Sequence, residues 1–368
     1  MEVAKHTKYF SRCLFLLPAQ ATPYDGNRLS IVYFCLSGLD LLGTLDQFVK
    51  TEGQRKHYIE WIYEQVVESG EGFRGSPTFK LCGHEKDGQS DVDNKYDPAN
   101  LAATFFGLAC LGILGDTETW KRLSRNKILA YVASCQREDG SFGSFCIDGE
   151  VATDYDMRYC YLATGIRRLA RDSSKSSRDI NVDAMVKHIE NTQSFQGGIG
   201  QGQTGNVTEP HSGLTYCGLS ALKNADRLDE KEWTRTLEWL VGRQCDERRE
   251  SKEDDDSEDE EDPQTGGFNG RVGKLADTCY SFWVSAALAS LGGVDYVSAE
   301  LARDYLLNNT QNTLLGGFAK TPGEIPDPLH SYLGVCALSI FGQEGLAKVV
   351  PELCISEKAV ATLTGTVV

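Results

Sequence analysis

Apolar residues recur along this chain in two patterns that alternate. Five segments, Ala99 to Leu114, Tyr155 to Leu169, Ser212 to Leu222, Cys279 to Leu291 and His330 to Phe341, are apolar or small over most of a helical circumference. That pattern predicts helices buried on several sides. Between them, His57 to Val67, Trp120 to Cys135, Val182 to Asn191, Glu230 to Arg243 and Ser298 to Asn309 each carry a charged face, which predicts amphipathic helices. A glycine turn with an aromatic or aliphatic residue precedes every buried segment: Gly72-Phe73, Gly140-Ser141-Phe142, Gly197-Gly198-Ile199, Gly266-Gly267-Phe268 and Gly316-Gly317-Phe318. Measured at the apolar residue, the turns are 69, 57, 69 and 50 residues apart. Few segments alternate with period two, so the predicted class is all-α.

Helix pairs repeated at such intervals stack into an open solenoid or close into a ring. Closure explains the inner set best. In a closed ring, outer helices cover inner ones, which then need no polar face. With 40% hydrophobic and 24% charged residues, the 368 residues have the composition of a globular protein and suffice for one large core or two ordinary domains.

Charge and cysteine usage narrow the class of function. The formal charge of -16 argues against a nucleic-acid partner. Much of it lies in Asp246 to Asp262, where twelve acids stand against three bases, an acidic low-complexity loop at about 246–262. Asp255-Asp256-Ser257-Glu258-Asp259 formally matches the DDxxD pattern that binds magnesium-diphosphate, but it lacks apolar periodicity and reads as solvated loop. The twelve cysteines are scattered without a CxxC pair, which fits reduced thiols and a cytoplasmic location. The run Cys13 to Leu17 is shorter than a signal-peptide core and stops at Pro18, and no stretch approaches eighteen apolar residues. Neither an export signal nor a membrane span is predicted.

The candidate chemistry concentrates between Gly266 and Tyr280. Asp277 and Cys279 are zinc-ligand types, and Arg271 and Lys274 are phosphate clamps. Two positions apart on a regular helix, Asp277 and Cys279 would point to nearly opposite sides; with Asp277 at the helix boundary they can converge. His330 opens the next buried helix at the same place after its own Gly-Gly-Phe turn. Equivalent helix starts in a ring face a common centre, so the three predict a zinc site with an open fourth position, as in catalytic rather than structural zinc. His211 opens the preceding inner helix, and Tyr280 and Trp283 add a hydroxyl and an aromatic wall. Arg271, Lys274 and Asp277 are spaced by three, which predicts a helical or 3₁₀ turn that stacks the cations beside the ligands. Taken singly, Asp277 reads as a cap, Cys279 as a core thiol and His330 as a half-buried histidine; their matched repeat positions favour a site. Cys82 and His84 lack matched partners and read as structural.

Several segments carry a resemblance over nearly the whole chain: Arg28-Leu29-Ser30-Ile31, Leu36-Ser37-Gly38-Leu39-Asp40, Asp154-Tyr155-Asp156-Met157-Arg158, Pro210 to Tyr216, Arg271 to Tyr280, and Gly316 to Lys320 followed by His330. The chain resembles the β subunits of protein prenyltransferases, most closely their geranylgeranyl type I branch. The resemblance implies an all-α fold in which the whole chain, 1–368, is a single α-α barrel (toroid) of inner and outer helices around a central apolar cavity, working as a heterodimer with a helical-repeat α subunit. It implies transfer of an isoprenoid, as a thioether, to the cysteine of a C-terminal CaaX motif, favouring Leu-terminated ends such as those of Rho-type small GTPases. By position it implies one zinc ion on Asp277, Cys279 and His330, a diphosphate site of His211, Arg271, Lys274 and Tyr280, and lipid or peptide contacts at Ser30, Arg158, Tyr161, Trp283 and Leu333. Ser30 stands where type I relatives carry Thr, and Leu333 where they carry Phe, which bears on selectivity for the peptide's last residue.

Two positions bear on the donor. The farnesyl branch has Trp in place of Ser30, so a small residue here implies room for the five further carbons of geranylgeranyl diphosphate, worth several kcal/mol at about 0.8 kcal/mol per CH₂. It also has a magnesium-holding Asp in place of Lys320, which implies that this chain turns over without magnesium and uses Lys320 in catalysis. The alternatives are a farnesyl or Rab-type β subunit, or a non-catalytic lipid-binding α-α ring with structural zinc. A terpene cyclase is disfavoured because no DxDD motif is present.

Overall fold

The computed structural model describes residues 1–17, 19–80, 97–172, 178–201, 208–245 and 264–366. The acidic loop at 246–262 with its DDxxD match, and Cys82 and His84, lie outside them. Helices α1 (Val3–Phe15), α2 (Arg28–Leu41), α3 (Glu52–Tyr63), α4 (Leu101–Ile113), α5 (Arg125–Ser134) and α6 (Met157–Ala170) form the first half. The second half is α7 (Val182–Asn191), α8 (Ser212–Asn224), α9 (Thr234–Val241), α10 (Thr278–Ser290), α11 (Ala299–Asp304) and α12 (Pro328–Ile340), followed by α13 (Glu357–Thr364). Even-numbered helices up to α12 are the inner set. Each packs on the next, and α12 packs on α2, so the ring is closed.

Six helix pairs are thus described, where the turn pattern predicts five. The additional pair is α1 and α2, whose connection is a 3₁₀ segment, Ala19–Asn27, containing Pro23 rather than a Gly-aromatic turn. The predicted outer helices are also broken more often. Glu230–Trp233 is a 3₁₀ turn ahead of α9, and a π-helical stretch, Tyr305–Thr310, continues α11. Ser124 interrupts the 120–135 segment because its side chain caps α5.

The turns act as rivets between repeats. Phe73, Phe142, Ile199, Phe268 and Phe318 are fully buried, each worth about 1.5–3 kcal/mol of apolar burial. Each forms an isolated antiparallel bridge with the end of the preceding outer segment, at Val66, Gln136, Gln193, Gln244 and Gln311. Gln136 exchanges side-chain hydrogen bonds with the backbone of Asn181, and Gln244 with that of Ser298, the caps of α7 and α11. The turn glycines press on the next outer helix: with φ of 110° at Gly197 and 76° at Gly316, a Cβ would lie 2.3 Å from Arg235 O and 2.2 Å from Lys5 O.

That last contact closes the circle. Fully buried His6 on α1 accepts the Gly317 N–H at Nδ1 (2.9 Å), pairs through Nε2 with Gln311 (2.9 Å) and stacks on Phe318 (4.8 Å). Burial lowers its pKa, which keeps the ring neutral with Nε2 protonated.

One aromatic residue from each inner helix fills the barrel: Tyr33, Phe105, Tyr161, Tyr216, Phe282 and Tyr332. Neighbouring centroids lie 5.3–6.3 Å apart from Tyr332 through Tyr33 to Phe282. The C-terminal segment seals this collar from below. Cys354 O accepts the hydroxyls of Tyr33 (2.6 Å) and Tyr332, and Pro351 O that of Tyr216 (3.0 Å). The barrel therefore has a closed floor, and its chemistry must lie at the helix starts. No helix of the described residues is long and apolar enough to cross a membrane, and no disulfide joins the eleven described cysteines.

Candidate metal and anion site

A repeated backbone seam sets the rim. The first or second residue of an inner helix donates its N–H to the residue two past the buried turn residue of the next repeat: Leu29 to Gly75 O, Leu101 to Ser144 O, Ser212 to Gly270 O and Thr278 to Lys320 O. This places Lys320 beside the start of α10 and Arg271 beside the start of α8. Both are consequences of ring register, not of local sequence.

Asp277 is the N-cap of α10 with extended dihedrals (φ −146°, ψ 138°), and its Oδ1 accepts the Cys279 N–H at 2.8 Å. That bond turns the carboxylate toward the same side as the thiol. His330 is the third residue of α12, whose cap Asp327 accepts both its N–H (3.0 Å) and a bond from its ring Nδ1 (2.5 Å). Nε2 is left facing Asp277 Oδ1 at 3.3 Å. One ligand atom each from Asp277, Cys279 and His330 lies within 4.8 Å of the others. Zinc bonds of about 2.0–2.3 Å at tetrahedral angles set ligand atoms roughly 3.3–3.8 Å apart, so the trio would hold zinc after closing by about an ångström.

The donor set fits zinc: one sulfur, one imidazole nitrogen and one carboxylate oxygen, with the second ring nitrogen held by a carboxylate. Burial opposes ionisation of Asp277, but hydrogen bonds from His330 and Cys279 outweigh it and hold its pKa below the usual range. Burial, then the charge of Asp277, pushes the Cys279 thiol well up. Burial lowers the His330 pKa, yet the bonds to Asp277 and Asp327 prevail and push it up to about 9. A bound cation would replace the protons that these shifts hold on the thiol and on the imidazole. Tyr305, a fully buried phenol with no hydrogen-bond partner among the described residues, lies within electrostatic reach of Asp277 and Cys279.

Asp327 is absent from the sequence prediction because, on its own, an Asp-Pro before a helix reads as a cap. Replacing it by Asn keeps an equally good cap and removes the charge that orients the imidazole. Zinc affinity of Asp327→Asn should fall about tenfold or more at nearly unchanged Tm, read by chelator competition; equal affinity would make Asp327 a cap alone.

The anion-binding candidates flank this cluster. His211 caps α8 and accepts the Gly213 N–H at Nδ1 (3.1 Å), so the neutral ring carries its proton on Nε2. Burial, then Arg271, lowers its pKa and favours that neutral form. Nε2 lies 3.1 Å from the Tyr280 hydroxyl and donates to it, leaving the phenolic proton free for an incoming anion. Trp283 packs edge-on against Tyr280 at 5.3 Å. A Cβ on Gly270 would stand 2.2 Å from the Tyr280 ring, which is why the rim needs glycine there.

The turn carrying Arg271 and Lys274 differs from the prediction. Asn269 bridges Ala276, and Lys274 N bonds Arg271 O, so 269–276 is a tight hairpin with Gly273 at φ 73°. The cations flank its tip instead of stacking on a helical face. Arg271 pairs with Glu209 (2.7 Å), while Lys274 and Lys320 are exposed. Arg158, the second residue of α6, holds Asp156 through two bonds. Ser30 is the third residue of α2, level with His330 on α12, and donates to Asn27 O at 2.6 Å. Tyr161 and Leu333 are buried about a turn deeper, Tyr161 in the collar.

The residues 1–355 match the family model described as "Prenyltransferase alpha-alpha toroid domain". The chain is 30% identical to geranylgeranyl transferase type-1 subunit beta of Dictyostelium discoideum, over 96% of this chain and 95% of the relative. It is 29% identical to the subunit of the same name from Arabidopsis thaliana, over 96% and 88%. Among solved structures, Candida albicans protein geranylgeranyltransferase-I complexed with GGPP superposes with a TM-score of 0.85 at 31% identity, over 99% of this chain and 98% of that one.

Proposed function

Because this chain belongs to the prenyltransferase α-α toroid family, we propose that it is the catalytic β subunit of a protein geranylgeranyltransferase of type I. It transfers the geranylgeranyl group from geranylgeranyl diphosphate to the cysteine of a C-terminal CaaX motif, favouring Leu-terminated ends, in a heterodimer with an α subunit in the cytoplasm. The observation that carries the reading is the Asp277-Cys279-His330 cluster, joined through consecutive residues Cys279 and Tyr280 to the hydrogen-bonded His211-Tyr280 pair, which lies within electrostatic reach of Arg271. A soft-ligand metal site and an anion site share one rim.

Asp277, Cys279 and His330 would hold a zinc ion, whose positive charge favours the ionised form of a substrate thiol that is otherwise mostly protonated at neutral pH, its pKa being about 8.5. The sulfur of that cysteine bonds to C1 of the donor as the C1–O bond breaks, and the electron pair leaves with the diphosphate. Charge that grows on the departing oxygen is met by the Tyr280 O–H, by Arg271 and by the Nζ groups of Lys274 and Lys320. His211 keeps the Tyr280 proton directed at the anion by occupying the phenol oxygen as a donor. Arg158, fixed by Asp156, presents its remaining N–H groups to the peptide, and Lys320 removes the need for magnesium.

The test is a transfer assay. With an α subunit, zinc and no magnesium, the chain should raise the mass of a Leu-terminated CaaX peptide by one geranylgeranyl group. Transfer of only the fifteen-carbon group would make it a farnesyl enzyme, and metal binding without transfer a non-catalytic ring. In the same assay Ser30→Trp should reverse donor preference, by tenfold or more, toward farnesyl diphosphate, since an indole fills the space of several CH₂ groups at about 0.8 kcal/mol each. Unchanged preference would locate the length limit elsewhere.

A further inference from the structure

Two arginines on the rim act electrostatically on His211, and each comes with a carboxylate. The two pairs are built differently. Asp156 is the N-cap of α6, its side chain is only 11% exposed, and it also accepts the Arg158 N–H, so it belongs to the helix start. Glu209 is 58% exposed, caps nothing, and has the Arg271 Nη1 as its one side-chain partner among the described residues. Yet the meeting is not a chance encounter of two long side chains. His211 N bonds Ile199 O, and Ser212 N and Oγ bond the Asn269-Gly270 carbonyls, so the backbones that carry Glu209 and Arg271 are laced together. The seam that puts Arg271 on the anion site also puts an acid against it.

We propose that Glu209 is a built-in counter-ion of Arg271, which an incoming diphosphate displaces and which competes the diphosphate off again after transfer. The inference rests on the reading of Arg271 as a diphosphate ligand. An exposed Arg-carboxylate bond is weak, so a polyanion exchanges with it readily, and its size sets how much affinity it withholds. The carboxylate lies within a Debye length of the anion it opposes, so its effect is screened by salt. A carboxylate that merely aligned the guanidinium would have the opposite effect on binding when removed.

The probe is inorganic diphosphate, titrated calorimetrically into the zinc-loaded heterodimer. Glu209→Gln and Glu209→Ala should both bind it more tightly, by roughly two- to fivefold, the magnitude of an exposed ion pair. The gain should shrink in 1 M salt, and product inhibition by diphosphate should strengthen by the same factor. Unchanged or weaker binding in the two variants, with ordinary binding by the parent, overturns the counter-ion inference and leaves the diphosphate site standing. Failure of the parent heterodimer to bind inorganic diphosphate overturns both.

Discussion

Cys279→Ala should yield a folded protein that has lost stoichiometric zinc and prenyl transfer but still binds geranylgeranyl diphosphate. The thiol is one of the three proposed ligands, and structural zinc sites with four release about 10–16 kcal/mol, so one ligand accounts for roughly 3–4 kcal/mol, on the order of several hundredfold in affinity. The fold should tolerate the change. Cys279 is a small side chain near the helix start, its N–H bond to Asp277 is a backbone bond, and truncation costs on the order of 1 kcal/mol. Donor binding should persist because His211, Arg271 and Lys274 stand on separate segments. Metal analysis and a donor titration on the same sample check both halves, and full zinc retention would reassign the ligands.

Lys320→Asp should slow the chemical step by on the order of a hundredfold and make it respond to added magnesium. The substitution changes two units of charge beside a leaving group, which at a few ångströms in a partly screened site amounts to about 3 kcal/mol. The fold contribution of this residue is its carbonyl, which accepts the Thr278 N–H at 2.9 Å and is indifferent to the side chain. A carboxylate at that place joins phosphate oxygens in supplying the oxygen ligands magnesium prefers. Single-turnover rates with and without magnesium decide it; an unchanged rate would remove Lys320 from the leaving-group site.

The parts of this architecture that sequence reveals are those set by composition around a helix. Segments such as Ala99 to Leu114 have no polar face and can only be inner helices, and glycine turns mark repeats because a Cβ at Gly197 or Gly316 would strike the next helix. The clustering of Asp277, Cys279 and His330 is legible for the same reason, since helix starts in equivalent repeats converge. What stays hidden depends on register between repeats. The α1-α2 pair lacks the turn signal, since its connection is the 3₁₀ segment Ala19–Asn27, and the bond by which His6 closes the ring reaches Gly317, 311 residues away. The Arg271-Lys274 turn has a spacing of three that suits a helix, but the Asn269-Ala276 bridge makes it a hairpin. Asp327 and Glu209 look like a cap and a surface acid because their partners are three and 62 residues away, on a side chain whose role must be known first. The aromatic collar escapes notice because uneven spacing of the repeats hides that Phe105, Tyr161, Tyr216, Phe282 and Tyr332 occupy one helical level.

The proposed role of Asp277, Cys279 and His330 is to hold a metal at which a substrate thiol becomes a nucleophile. Cobalt(II) substitution of the heterodimer tests it without turnover. Intense tetrahedral visible bands are expected, with a sulfur-to-cobalt charge-transfer band that grows when a Leu-terminated CaaX peptide is added, and loss of this spectrum in Cys279→Ala. A weak six-coordinate spectrum without a sulfur band, or one that ignores the peptide thiol, would contradict it.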